Sequence, residues 1–325
     1  MFAMVAKVFY QYDKVEKMEY IVVVLFIVVG LFTWNYLYMQ TPRYKAEIAC
    51  VQKFNDADKK NYVILNTGSN HAYYAIDWSL IGVEGLNLAS GSQSILWDKK
   101  LLHRYIKTVD KGIAGKVVIV LSDLVLGFID YPHDIANKRY YYFAESEDIP
   151  NYSLWKSIKY RHLPVLANWR NFFYALYKRD ISKLTSRNKR SAEQEAELRI
   201  NGWKEQFNLQ DLQHAESATH LQPIIEKTVK IVRTMVDECH RNGVIPVLMI
   251  PPVSNVLNAK MSDEFLQEVL YKPIQNNFQD VAILDYMKDE RFQNINLYNN
   301  SDFMNLDGRK LFTKILWHDV QEIKG

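Results

Sequence analysis

The sequence predicts an α/β protein with a doubly wound, parallel, five-stranded sheet, a helical aromatic-rich insertion and one N-terminal transmembrane helix. Three observations predict it. An uncharged apolar run lies near the N-terminus, five short apolar runs alternate with helix-length segments, and a long aromatic-rich interval interrupts that alternation. The chain has 325 residues, of which 48% are hydrophobic and 24% charged, so it has enough apolar material for a sizeable core.

The N-terminal apolar run carries no charged side chain from Tyr20 to Pro42. At 1.5 Å per residue, a helix of this length crosses a hydrocarbon core of roughly 30 Å. Aromatic rings gather at its C-terminal end, as in an interfacial belt: Trp34, Tyr36 and Tyr38. We therefore expect an N-terminal tail over residues 1–19 and a retained single-pass anchor over residues 20–42, which contacts the bilayer through Ile21 to Leu37.

The orientation of this anchor is not decided by the flanking charges, because Lys and Arg are about equally frequent on its two sides. A short tail followed by a long C-terminal domain is typical of a signal anchor. We expect a polar linker over residues 43–60 and a globular domain over residues 61–325 on the extracytoplasmic side of the cell membrane.

Five short apolar runs predict the strands of that domain. They are Tyr62 to Asn66, Glu84 to Leu88, Lys116 to Leu121, Ile245 to Ile250 and Val281 to Asp285. The segments with helical patterns are His71 to Leu80, Ser92 to Val109, Leu221 to Asn242 and Asp263 to Asn276, with a last helix after Asp307. Strands that alternate with helices predict a parallel sheet covered on both faces.

The alternation breaks between about residues 127 and 220, where aromatic residues are frequent. This interval is too apolar for a disordered loop, so it predicts a mostly helical insertion near the carboxyl edge of the sheet. Its aromatic residues are read as ordinary packing, with a lid, a partner surface or a membrane-resting face as the alternative.

The net charge of +3, without a basic stripe, predicts no nucleic-acid partner. Two cysteines, Cys50 and Cys239, exclude a disulfide framework and a thiolate zinc cluster. The acidic residues Asp123, Asp130 and Asp134 lack a recognisable metal spacing. We expect no metal and no cofactor.

The first predicted strand runs into LNTGSNHAYYAID, which places Gly68, Ser69 and Asn70 on a turn between strand and helix. Ligands of parallel sheets bind at that edge, where a nucleophile or an anion-binding backbone would lie. The alternative is a tight turn in which Gly68 allows the backbone geometry and Ser69 or Asn70 caps the helix.

The order of four sequence blocks resembles the SGNH/GDSL hydrolase family. The blocks are TGSNHAYYAID, GLNLASGSQSILWDKKLLHRY, IPVLMIPPVS and NSDFMNLDGRKLFTKIL. They are most similar to a membrane-anchored bacterial branch whose members work beside membrane-bound O-acyltransferases in modifying cell-surface polymers. The resemblance implies a flavodoxin-like SGNH fold, and it covers most of the chain after residue 60.

The departures from this family pattern fall on the positions of its catalytic triad. Asn70 occupies the nucleophile position, Phe303 the base position and Asn300 the acid position. A serine nucleophile needs a base, and the base needs an orienting acceptor. Because two amides and a phenyl ring supply neither, the sequence indicates a protein that does not run serine hydrolysis.

An alternative nucleophile is Ser69, with a histidine such as His133 or His220 supplied by the insertion. His71 is expected to be an exposed or half-buried polar residue, because side chains two apart diverge at a helix start. The resemblance also implies remnants of an oxyanion or ligand site. The expected cleft residues are Gly68, Ser69, Asn70, Gly85, Asn87, Gly91, Gln93, Asp302 and Asn305.

Two functions follow. The first is a catalytically defective SGNH-like protein of the cell envelope that binds or presents a glycan or a teichoic-acid-like polymer, or scaffolds a membrane-bound O-acyltransferase in polysaccharide acylation. The second is an active acyl esterase or O-acetyltransferase with a rearranged site at Ser69. A third possibility is an unrelated function on a doubly wound sheet.

Overall fold

The computed structural model describes residues 2–111, 115–129, 138–167 and 190–324, with only the backbone for residues 2–19 and 46. Within this description the chain separates into two compact units. We call residues 1–52 with 137–186 the anchor unit, and residues 53–136 with 187–325 the sheet unit. Asp130, His133 and Asp134 lie outside the described residues.

The sheet unit contains a five-stranded parallel sheet. Its strands are β1 (Ile64–Asn66), β2 (Gly85–Asn87), β3 (Lys116–Val120), β4 (Ile245–Ile250) and β5 (Ala282–Asp285). All five lie inside the predicted runs, so the predicted α/β class and strand count are confirmed. The spatial order is β2-β1-β3-β4-β5, which is the flavodoxin-like order of doubly wound sheets.

Each predicted helical segment contains an α-helix, but the first helix of the sheet unit ends at Ala75 rather than Leu80, and the helices Pro42–Gln52 and Asn255–Asn258 were not predicted. The α-helices are α1 (Phe2–Gln40), α2 (Pro42–Gln52), α3 (Asn70–Ala75), α4 (Ile95–Tyr105), α5 (Leu154–Ser157), α6 (Ala192–Phe207), α7 (Gln222–Arg241), α8 (Asn255–Asn258), α9 (Asp263–Leu266), α10 (Lys272–Asn277) and α11 (Leu306–Glu322). A π-helical turn, Gln267–Tyr271, joins α9 to α10, and another, Ile158–His162, continues α5.

Helices cover both faces of the sheet, as the predicted double winding requires. On one face α4 packs against α7, and on the other α3 packs against α11. The central strands are therefore closed to solvent, and residues 117–121 are all at most 2% exposed. At the edge, β5 alternates between half-buried and exposed positions because only one of its faces meets the core.

The anchor unit contains α1, whose window Tyr20–Gln40 has a mean hydropathy of 2.2 and is 6% buried. By length and composition this window can cross a membrane. The backbone of the predicted tail is helical from Phe2, and the predicted linker contains α2. A small apolar cluster centred on Tyr38, Tyr44 and Val165 joins the end of α1 to α2 and to the insertion.

The predicted insertion divides between the two units. Residues 137–186 belong to the anchor unit, whereas α6, which the prediction also placed in the insertion, belongs to the sheet unit. Helix α6 begins with a full capping box, in which Ser191 and Gln194 each bond the other's backbone N–H. This cap fixes the start of a helix that carries four residues of the cleft lining described next.

Candidate functional site

A cleft lies in the sheet unit at the carboxyl ends of β1 and β3. Its polar lining includes Ser69, Asn70, His71, Gln93, Asp123 and Arg199, and its aromatic lining is Phe128, Trp203, Phe207 and Phe303. The chain goes from β1 to β2 on one side and returns to place β3 on the other, so the winding of the sheet reverses between β1 and β3. Doubly wound sheets bind their ligands at that reversal.

The turn after β1 depends on a glycine. Gly68 has a φ of +126°, and a Cβ at this position would lie 2.7 Å from the Cβ of Ala72 and 3.0 Å from that of Val120. Both neighbours are closely packed, so no other residue fits without movement of the backbone. This turn brings the Ser69 and Asn70 side chains into the cleft.

A buried carboxyl group holds this turn from below. Asp98 of α4 accepts the backbone N–H of Gly68 at 2.9 Å and an amide hydrogen of Gln93 at 2.6 Å. Burial raises the pKa of Asp98 to about 7, against the lowering effect of these hydrogen bonds. The Gln93 amide also donates to the carbonyl oxygens of Gly68 and Leu88, so this side chain braces the turn.

Ser69, the alternative nucleophile, has a hydroxyl that accepts the backbone N–H of Gln93 at 3.2 Å. Among the described contacts no histidine nitrogen bonds this hydroxyl. His220, a predicted candidate, is exposed and bonds the carbonyl oxygen of Phe207 at 2.8 Å, outside the cleft lining. The described residues therefore show Ser69 without the base that a serine nucleophile requires.

The prediction for His71 is wrong. The residue was expected to be exposed or half-buried, but it is buried, with 8% of its surface exposed. Its Nε2 lies 3.5 Å from Oδ1 of Asp123, which follows β3. Burial lowers the pKa of His71 to about 4 and raises that of Asp123 to about 6. Near neutral pH the contact thus joins a neutral imidazole to a carboxylate, rather than two full charges.

A second carboxyl group, that of Asp302, lies beside this pair. It is 3% exposed and forms an ion pair with Arg199 of α6. Burial raises the pKa of Asp302, and the charges of His71 and Arg199 oppose that rise. Conversely, the charge of Asp302 favours a protonated His71 and that of Arg199 disfavours it, so the four side chains form one electrostatic cluster.

Oδ2 of Asp302 pairs with Arg199, whereas two other polar atoms of this cluster, Nδ1 of His71 and Oδ2 of Asp123, are buried without a hydrogen-bond partner. Such an unpaired atom costs about 1–3 kcal/mol, and buried polar atoms are otherwise almost always bonded. Both residues line the cleft. These two atoms could therefore form hydrogen bonds with a polar ligand in the cleft.

Phe303, at the predicted base position, also lines the cleft. Its ring stacks on Tyr74 with centroids 4.9 Å apart and meets the edge of His71 at 5.6 Å. The guanidinium of Arg199 lies 4.8 Å from the centroid of Phe303. Asn70 and Phe303 thus share one cleft, as the nucleophile and base positions of the resemblance imply.

Asn300, at the predicted acid position, has a local structural role. Its side-chain oxygen accepts the backbone N–H groups of Asp302 at 3.1 Å and Phe303 at 2.7 Å. These hydrogen bonds hold the loop before α11. Asn300 has an amide and not a carboxylate, so it cannot act as the acid of a triad.

Six of the predicted cleft residues lie outside the cleft lining: Gly68 and Asp302, described above, and four others. Asn87 donates to the carbonyl oxygens of Ala72 and Ile76, Gly85 packs against Trp78, and Asn305 caps α11 by accepting the N–H of Gly308. Gly91 lies in the turn before α4. The structure gives Asn87, Gly85 and Asn305 packing or capping roles rather than contact with a ligand in this cleft.

Sequence reasoning missed Arg199 and Trp203 and the pairing of His71 with Asp123. Arg199 and Trp203 are one helical turn apart on α6, with the guanidinium 5.8 Å from the indole ring, and their four-residue spacing was the available signal. Asp98 gave no signal, because an aspartate in the first turn of a helix is ordinarily solvated.

The comparisons with known proteins give a structural similarity only. No family model matches the chain, and no curated protein matches it. A crystal structure of a G-D-S-L family protein from Desulfitobacterium hafniense DCB-2 is 10% identical with a TM-score of 0.33, covering 79% of this chain and 98% of that one. A GDSL-like lipase from Bacteroides thetaiotaomicron VPI-5482 is 9% identical with a TM-score of 0.34, covering 86% and 96%.

Proposed function

We propose that this chain is a membrane-anchored, extracytoplasmic SGNH-like protein whose cleft binds a cell-envelope glycan without hydrolysing it. The observation that carries the proposal is that Asn70 and Phe303 line one cleft, beside a His71 engaged with Asp123. An amide at the nucleophile position and a phenyl ring at the base position leave that cleft able to bind but without the usual acyl chemistry.

The cleft chemistry favours a neutral, hydroxyl-rich ligand. The cleft lining has one carboxyl group, that of Asp123, and one guanidinium, that of Arg199, which is already paired with Asp302. Aromatic walls beside a few polar groups are typical of small-ligand sites. A neutral glycan therefore fits these charges better than an anionic, teichoic-acid-like polymer does.

The anchor supports a role at the membrane surface. A tethered binding domain works at a high effective concentration beside a membrane partner, even when its own affinity is modest. The family resemblance implies that this partner is a membrane-bound O-acyltransferase of polysaccharide acylation. We propose that the cleft presents the glycan to such an enzyme. Copurification from native membranes tests this part, and recovery of the chain without an acyltransferase contradicts it.

The chemical part is tested with full-length protein in detergent. We expect no labelling by a fluorophosphonate probe and no hydrolysis of p-nitrophenyl acetate above a heat-denatured control. Labelling that disappears in Ser69→Ala would establish the alternative, an active acyl esterase or O-acetyltransferase. That alternative has one observation in its favour, since Ser69 and His71 line the same cleft.

The binding part is tested by calorimetric titration with a neutral envelope polysaccharide and with purified teichoic acid. We expect Trp203→Ala to weaken binding of the neutral polymer by roughly tenfold, as loss of a buried aromatic contact of 1–2 kcal/mol would. Trp155→Ala, an exposed tryptophan of the anchor unit, is the matched control and should bind normally. Equal weakening by both variants contradicts the assignment of the cleft.

A further inference from the structure

The insertion presents an apolar surface to solvent in the anchor unit. Tyr152, Leu154 and Trp155 are 39%, 69% and 57% exposed, whereas the polar Ser157 of the same short helix is 7% exposed. We call these three exposed residues the aromatic face. A helix that buries a serine and exposes leucine and tryptophan reverses the usual pattern, so its outer surface suits an apolar environment.

The aromatic face is held in place by neighbouring contacts. The ring of Tyr152 stacks on Tyr141 with centroids 5.7 Å apart, and the Tyr141 hydroxyl accepts the backbone N–H of Ser153. The Ser153 hydroxyl in turn caps α5 by accepting the N–H of Lys156. The exposure of these side chains is therefore a feature of an ordered segment.

The end of this segment contacts α1 through Asn35. The Asn35 amide donates to the carbonyl oxygen of His162 at 3.2 Å, and its oxygen accepts the N–H of Val165 at 3.2 Å. Asn35 is 6% exposed, and Tyr38 and Val165 are fully buried beside it. The carboxamide is thus satisfied by protein on the side of α1 that meets the insertion, which matters because an unpaired amide in hydrocarbon costs several kcal/mol.

The contacts of Asn35 indicate how deep residues 162–165 lie in a bilayer that α1 spans. Asn35 lies inside the window Tyr20–Gln40 and only five residues before its end, which is roughly 7 Å along a helix. The polar headgroup zone on each side of a bilayer is roughly 5–7 Å thick. If the window spans a membrane, His162 and Val165, which bond Asn35, lie roughly 7 Å inside the end of the hydrocarbon span, so residues that precede them can reach the headgroups. Leu154 precedes His162 by eight residues, at most about 12 Å of helix.

The charges beside the aromatic face suit an anionic surface. The ammonium of Lys159 lies 5.1 Å from the ring centroid of Trp155, and Arg161 is exposed two residues on. Tryptophan and tyrosine rings with adjacent cations are typical of segments that lie in the headgroup region, where each cation contributes about 1 kcal/mol near anionic lipid.

We propose that the aromatic face is a second membrane contact, which lies in the headgroup layer of an anionic bilayer on the side where α1 ends. This inference rests on the anchor of the proposed function. Two contacts with the bilayer limit the tilt and rotation of the anchor unit. The partner is a lipid surface, and a protein partner on the same face is the competing outcome.

The test places a fluorophore on full-length protein reconstituted in vesicles of phosphatidylcholine and phosphatidylglycerol. The labelled variants are Leu154→Cys, Trp155→Cys, Val28→Cys and Leu306→Cys, each in a Cys50→Ser background that leaves Cys239 buried. Leu306 of the sheet unit is 65% exposed, so it matches Leu154 in exposure. Brominated lipid reports contact with the bilayer, and iodide reports contact with water.

We expect brominated lipid to quench labels at 28, 154 and 155 several-fold more strongly than the label at 306, and iodide to show the reverse order. Quenching by lipid at 28 with iodide access at both 154 and 155 overturns the second contact and leaves the anchor intact. An absence of lipid quenching at 28 contradicts the anchor itself. Protection of 154 and 155 in native membranes, but not in vesicles, assigns the face to a protein and overturns the lipid assignment.

Discussion

Asn70 and Phe303 line one cleft, and neither side chain is a nucleophile or a base. Both positions face the cleft expected from the resemblance, yet neither side chain can accept a proton from a serine. His71, the histidine described in this cleft, is buried and directed at Asp123. At the scale of single residues, the cleft lining is rich in polar side chains, and among the described residues no histidine bonds the Ser69 hydroxyl.

Asp98 makes a testable prediction about pH. Its pKa in the folded protein, about 7, is well above its ordinary value of 3.8, so the folded state binds the proton more tightly than the unfolded chain. The resulting stability is fully present below about pH 4 and is lost as the pH rises towards 7. We expect Asp98→Asn to remove this pH-dependent loss of stability. The loss in the native protein amounts to about 1.4 kcal/mol of unfolding free energy for each unit of pKa shift.

The measurement is urea unfolding of native protein and Asp98→Asn between pH 4 and 8. The free energy of unfolding of Asp98→Asn, relative to the native protein, should increase from pH 4 to about 7 and then level off. Asp237→Asn, a change at an exposed aspartate of α7, is the matched control and should show no such trend. A difference between Asp98→Asn and the native protein that does not change with pH contradicts the burial-raised pKa.

At the scale of elements, α6 completes the cleft although it is remote in sequence from the strands around it. Its Arg199 reaches the loop before α11 through Asp302, and its Trp203 and Phe207 form one wall. A charge pair with one fully buried partner stabilises little by itself, but removal of its exposed partner leaves an uncompensated buried charge. The ion pair therefore determines how α6 is attached to that loop.

We expect Arg199→Met to lower the free energy of unfolding by about 3 kcal/mol, because Asp302 is left buried and unpaired. The double variant Arg199→Met with Asp302→Asn should recover most of this loss, as measured in a double-mutant cycle by denaturant unfolding. Arg291→Met is the control, since that arginine is half exposed in its pair with Asp289 and should cost less than about 1 kcal/mol. Equal losses in both single variants would mean that burial does not distinguish the two pairs.

At the scale of the whole molecule, the chain enters the sheet unit after α2, leaves it for the insertion and returns before α6. The part of the insertion at residues 138–167 contacts α1 and α2, whereas α6 belongs to the sheet unit. The anchor unit is thus built from two distant chain segments, which explains why a polar side chain, Asn35, is tolerated inside an otherwise apolar window.

We predict that the mature protein retains residues 1–42 and resists extraction from membranes by alkaline carbonate. The double change Val24→Lys with Val28→Lys should release it, since each lysine near the bilayer centre costs about 3 kcal/mol, whereas leucine at both positions should not. Protease added outside intact cells should digest the sheet unit. An intact mass that starts after Pro42 would instead identify the segment as a cleaved signal peptide.

Prediction from sequence succeeded for the elements and was uneven for the site. All five strands lie inside the predicted runs, and the signal is a continuous apolar run in the central strands β3 and β4, which are buried on both faces. Residues 69, 70 and 303 were placed at one cleft from short motifs, and the structure brings them together. His71 was expected nearer the surface. The sequence around it gives no sign of its contact with Asp123, which follows β3 and is distant in the chain. Asn87 and Asn305 look like ligand residues in sequence and act as a brace and a cap in the structure.

The sequence by itself determined the uncharged apolar helix, the α/β alternation and the presence of Asn70, Asn300 and Phe303 where the resemblance implies a catalytic triad. These properties are local, since they depend on hydrophobic periodicity and on the chemistry of single side chains. Only the tertiary structure decided that His71, Asp123, Arg199 and Asp302 form one buried cluster, and that the insertion contacts the end of α1 at Asn35. Those contacts join residues far apart in the chain, and they depend on strand order and helix packing, which no local period encodes.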